Sequence, residues 1–101
     1  MKATVDGHVL AEAPDEETIV IEGNVYFPPS AVKHGLLSES DTEYVCPWKG
    51  HSQYFDATIS GKRVSDVAWS YPDLLADAIE IVGQDFSGYI AFSPRVDVGR
   101  G

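Results

Sequence analysis

The chain has 101 residues, 44% hydrophobic and 11% aromatic, with 16 acidic against 7 basic residues and a net charge of −9. That length holds one core, since a domain needs roughly 50 to 150 residues, so residues 1–101 are expected to form a single domain. The negative charge repels phosphate backbones and anionic lipids, which excludes nucleic acid and membrane as expected partners.

The N-terminal stretch "MKATVDGHVLAEAPDEET" lacks the apolar core of a signal peptide, and no run approaches the roughly 18 apolar residues that cross a bilayer. A soluble, cytoplasmic protein is expected. One cysteine leaves no partner for an intrachain disulfide, which suits a reducing compartment. The acid excess is spread along the chain and there are only four lysines, a composition suited to a halophile, whose salt screens the self-repulsion of an acidic surface.

In chain order, "ATVDGHVLAEA" places Asp6-Gly7 between two β-capable runs, a two-residue hairpin signal. "ETIVIEGNVYF" repeats the device, with Gly23-Asn24 as the expected turn between Thr18–Glu22 and Val25–Phe27. Pro28 and Pro29 lack the N–H a ladder needs, so "SAVKHGLLSES" reads as a helical turn or irregular crossover. "DTEYVCPW" and "SQYFDATIS" follow as strands around a Pro47–His51 corner, and "GKRVSDVAWSY" continues the meander after Ser60-Gly61-Lys62. Then Leu74, Leu75, Ala78, Ile79 and Val82 recur at helical spacing, which predicts one helix near Pro72–Val82, with Gly83 as its C-terminal cap. "GYIAFSPRVDV" alternates as a last strand. The expected fold is mainly β (α+β): an antiparallel, strongly curled or barrel-like sheet of about six to eight short strands with that one helix.

The chemistry-bearing residues gather in "VCPWKGHSQYF" and "DVAWSYPD". Cys46 is a nucleophile only if Lys49 or His51 lowers its pKa; otherwise it packs as a small hydrophobe. No second cysteine makes a CxxC, and His8, His34 and His51 share no metal-ligand spacing, so neither a metal nor a cofactor is expected. GxSxG, Walker A and GxGxxG sequences are absent, which leaves serine hydrolase, P-loop and dinucleotide readings without support. Trp69 and Tyr71 fall on one strand face with Val67, either as core or as a pocket wall. Lys49, between Trp48 and Gly50, either pairs with a surface carboxylate or presents its ammonium to an anionic ligand, with Gly50 allowing close backbone approach.

"CPWKGHSQYF" resembles the CPWKG signature of small bacterial and archaeal proteins grouped as domain of unknown function 427, some of which carry a nucleotidyltransferase label. "VLAEA", "VYFP", "AWSYP", "GYIAF" and "VDV" fall in the same order as that family's blocks, so the resemblance covers nearly the whole chain. It implies a mainly β, barrel-like or curled sheet with one helix. Its blocks map onto Tyr26, Phe27, Pro28, Cys46, Pro47, Trp48, Lys49, Gly50, Tyr54, Trp69, Tyr71 and Pro72, without assigning a role to any of them. The nucleotidyltransferase label fits this sequence badly, because the Gly-Ser pair and spaced aspartates that hold two magnesium ions are missing.

The expected function is small-molecule binding, with Cys46, Trp48, Lys49, Gly50, Tyr54, Trp69 and Tyr71 lining an aromatic cleft whose lysine takes an anionic group. The alternatives are a small enzyme, a transferase or hydrolase, using Cys46 or Lys49, and an interaction module, the chain being a monomer or a homodimer.

Overall fold

The computed structural model describes residues 1–100, and these residues hold the strands and the helix. Nine strands run in chain order: β1 (Lys2–Val5), β2 (His8–Glu12), β3 (Ile19–Ile21), β4 (Asn24–Tyr26), β5 (Leu37–Cys46), β6 (Gly50–Ile59), β7 (Lys62–Ser70), β8 (Ile90–Phe92) and β9 (Asp97–Gly99), with the helix α1 (Ala76–Val82) between β7 and β8. All pairings are antiparallel, in the orders β2-β1-β9, β3-β4 and β5-β6-β7-β8. None of these sheets closes on itself or curls strongly, which corrects the expected strongly curled or barrel-like sheet.

The β3–β4 hairpin extends the four-stranded sheet through the Phe27–Ile90 bridge, where the two residues exchange N–H···O bonds of 2.8 and 2.9 Å. The resulting layer has two apolar faces, and alternation along β8 shows why. Ile90 and Phe92 point into a first core with Leu10, Phe27 and Val67, against the β1–β2 side. Ala91 points into a second core with Tyr26, Cys46, Tyr71, Ala78 and Phe86, under α1 and its flanking loops. β8 is therefore covered on both sides, which is why all three of its residues are buried.

Three local expectations shift. The second hairpin turns at Glu22-Gly23, one residue earlier than expected, with both residues in the left-handed region (φ 53 and 80). The region read as a helical turn or crossover does contain two 3-10 turns, Pro29–Ala31 and His34–Leu36, but β5 already starts within it, at Leu37. Val67 does not share a face with Trp69 and Tyr71. The register slips opposite Phe55–Ala57, and Asp66 takes φ 50 there, a bulge that breaks period-two alternation and turns Val67 into the first core.

The helix begins later than expected because its approach is docked on the strand corner. Leu75 N–H donates to the Lys49 carbonyl (3.1 Å), which holds Leu75 in extended backbone and delays the first turn to Ala76. Gly83 caps the end at φ 88, its N–H donating to the Ile79 carbonyl. Leu74, Ala78 and Val82 pack inward, while Leu75 and Ile79 of the expected stripe face solvent. The helix is neither long nor apolar enough to cross a membrane.

Candidate functional site

The β5–β6 corner is built from Pro47, Trp48 and Lys49, with a trans Cys46–Pro47 bond, and Cys46 pairs with Gly50 across the ladder. Gly50 has no substitute here. Its φ is +109, and a Cβ would lie 3.1 Å from the Asp73 carbonyl oxygen, so only a residue without a side chain lets the helix approach close over the corner.

That closure buries Lys49, which is only 4% exposed. Its Nζ lies 4.3 Å from the Trp48 ring centroid and 5.4 Å from that of Tyr71, and it is ion-paired with Glu22 on the β3–β4 turn. Burial alone pulls the ammonium's pKa down. The hydrogen bond to Glu22, together with the fields of Tyr26, Cys46 and Glu22, outweighs it and leaves the pKa above the ordinary lysine value. Lys49 therefore stays charged at neutral pH.

Trp69 and Tyr71 belong to the same core as Lys49's aromatic neighbours. Trp69 Nε1–H donates to the Tyr26 hydroxyl (3.1 Å), and the Trp69 ring packs against Tyr54 at 6.0 Å between centroids, a cross-strand pair set by β6–β7 register. Burial raises the Tyr26, Tyr54 and Tyr71 pKa values, so all three remain phenols. The expected residues are thus gathered in one region with two adjustments: Tyr54 packs on Trp69 rather than on the lysine, and Cys46 is a 4% exposed thiol packed in the second core. Glu22 and Tyr26 were missing from the expected site. Tyr26 lay within a recognisable block, and Glu22 had one local signal, a long side chain in a tight hairpin turn where Asn, Asp or Gly is usual.

Hydrogen-bond bookkeeping around the lysine is uneven. An ammonium has three donors, and Glu22 is its one hydrogen-bonded acceptor among the described residues. Tyr71 is 3% exposed and its hydroxyl has no hydrogen-bond partner among those residues. The oxygen still touches solvent, since the one fully buried side-chain orphan among the described residues is Ser93 Oγ. Tyr26 accepts from Trp69 and has no acceptor for its own proton among the described residues. The region offers donors in surplus and acceptors in deficit.

Elsewhere, a cleft of about 230 Å³ lies beside β1 and β9, lined by Lys2, Thr4, Asp97, Val98, Gly99 and Arg100. Its cations are already engaged, Lys2 with Glu12 at 3.8 Å and Arg100 with Asp15 at 2.9 Å. Among the described residues, no group of three or more His, Cys, Asp or Glu is placed to hold a metal ion.

The chain is thus a mainly β domain of open antiparallel sheets, with a lysine enclosed by aromatic rings at a strand corner. The family model described as Domain of unknown function (DUF427) matches residues 1–100, and the chain belongs to that family. Comparison with curated proteins gives no match.

Proposed function

We propose that the domain binds a small anionic molecule at the Lys49 corner. Lys49 supplies the charge, the Tyr71 and Tyr26 hydroxyls donate to the same acid group, and Trp48, Trp69 and Tyr54 wall the body of the ligand. The observation that carries this reading is the donor surplus: a charged ammonium with one acceptor, beside a nearly buried phenol with none. Donors so enclosed meet little water, and an anion supplies fixed acceptors for them. Cys46 and Gly50 shape the site rather than touch the ligand, and a buried thiol in a reducing cytoplasm needs no chemistry of its own.

The test is a thermal-shift screen over small carboxylates, nucleotides and sugar phosphates, run on the parent protein and on Lys49→Met. A binder at 100 times its Kd stabilises the folded state by about 2.7 kcal/mol. The expected result is an anion that raises the Tm of the parent and leaves Lys49→Met unmoved; an equal shift in both proteins defeats the proposal.

A further inference from the structure

The ion pair at the corner is lopsided. The Glu22 side chain is 57% exposed and that of Lys49 is 5% exposed, so the carboxylate is the member that can leave without disturbing the core. Glu22 also sits where a glutamate is poorly suited, at φ 53 in the first central position of a two-residue hairpin turn. The two other turns of this form use the shorter Asp6 and Ser60, each followed by glycine. What distinguishes Glu22 is its reach: it carries a carboxylate to Lys49 from outside the core.

We infer that Glu22 is a built-in competitor, its carboxylate occupying the position that the ligand's carboxylate takes, so that the ligand binds by displacing Glu22 into solvent. This rests on the anion-site reading above and narrows it in two respects. The first is ligand class. Tyr26, Cys46 and Glu22 are the titratable groups whose fields reach Lys49, and none is a second cation. One ammonium balances one carboxylate, whereas a phosphate dianion favours a guanidinium fork or several cations. With the Trp48 and Tyr71 rings 4.3 and 5.4 Å from the ammonium, the fitting class is a planar, ring-bearing monocarboxylate. The second is regulation. Apparent affinity is reduced in proportion to the fraction of molecules in which Glu22 has left the ammonium.

Benzoate serves as the probe, with benzyl alcohol and phenyl phosphate as controls. Binding is read by the fluorescence of the chain's two tryptophans, Trp48 and Trp69, and by titration calorimetry. Glu22→Gln keeps the side-chain length and Glu22→Asn suits the left-handed turn, so the pair guards against misfolding, which circular dichroism checks. Benzoate is expected to bind both variants about tenfold or more tighter than the parent, to bind more tightly than phenyl phosphate, and to be lost in Lys49→Met, with benzyl alcohol inert throughout. Unchanged or weaker benzoate affinity in the folded Glu22 variants, with Lys49→Met still abolishing binding, overturns the competitor and leaves the anion site standing. Tighter binding of phenyl phosphate, or no benzoate response in any variant, overturns the carboxylate class. Benzoate binding that survives Lys49→Met overturns the anion site itself.

Discussion

Two ion pairs in this protein share a form, a buried charge held by an exposed partner, and differ in how completely the buried charge is satisfied. Asp56 is 2% exposed. Its Oδ1 accepts the Asp66 N–H at 2.9 Å, and its Oδ2 accepts Arg63 Nε at 2.9 Å together with a second guanidinium nitrogen. Both oxygens are used, and the bond to Asp66 fixes the bulge that redirects β7. Lys49, equally enclosed, has one acceptor for three donors. The first arrangement is a finished structural pin, while the second is closed by a side chain that can be exchanged. Burial of a charge is therefore a poor guide to function by itself; the count of unmatched donors or acceptors discriminates better.

The largest expected effect falls on the pin. Asp56→Ala strips the Asp66 N–H of its acceptor at the left-handed bulge, and its urea midpoint should fall further than that of any other variant named here, including Arg63→Ala, whose guanidinium simply returns to water. Equal midpoints for the two would show that the bond to Asp66 contributes little.

The next effect is an asymmetry at the lysine. Glu22→Ala leaves an enclosed ammonium without its counter-charge and should cost about 1–3 kcal/mol in denaturant unfolding. Lys49→Met frees a carboxylate that is already mostly in water and fills the aromatic enclosure with an apolar chain, so it should lie within about 1 kcal/mol of the parent or exceed it. A Lys49→Met variant that unfolds far more readily than Glu22→Ala would make the lysine a structural pin as well.

The smallest effects separate the two regions by pH. Backbone donation from Asp66 and then the Arg63 bond lower the Asp56 pKa below the ordinary 3.8. A depressed carboxyl pKa contributes stability that is present above that value and is lost as pH falls through the folded-state value. Burial raises Tyr26, Tyr54 and Tyr71 above 10.0, and Glu22 with its neighbours raises Lys49 above 10.5. Raised values contribute stability that is present below about pH 10 and is lost as pH climbs through the folded-state values. Tyr71→Phe should therefore flatten the alkaline limb of a stability profile and leave the acid limb alone, with the reverse for Asp56→Ala. A Tyr71→Phe profile that changes on the acid side would contradict the separation.

Much of this was legible residue by residue. The Asp6-Gly7 and Ser60-Gly61 turns, the Gly83 cap and the crowding of aromatic residues around Cys46–Gly50 and Trp69–Tyr71 follow from local chemistry: glycine where φ is positive, alternation along strands, helical spacing of apolar side chains. Glu22 was not legible as part of the site, because its contact with Lys49 spans 27 positions and its only local mark is an unsuitable turn residue. The facing of Val67 was misread because a bulge changes parity, and nothing in "SDVAWS" distinguishes a bulged strand from a regular one.

By itself, then, the sequence determined a mainly β fold, its family and the short stretches that carry its polar and aromatic groups, since these depend on neighbours in the chain. Tertiary structure decided that the sheets remain open, that one layer carries two separate cores, and that Lys49 is enclosed and answered by Glu22. Those outcomes depend on strand order, on register slips and on contacts between distant residues, where each side chain's environment is set by the partner that folding brings to it.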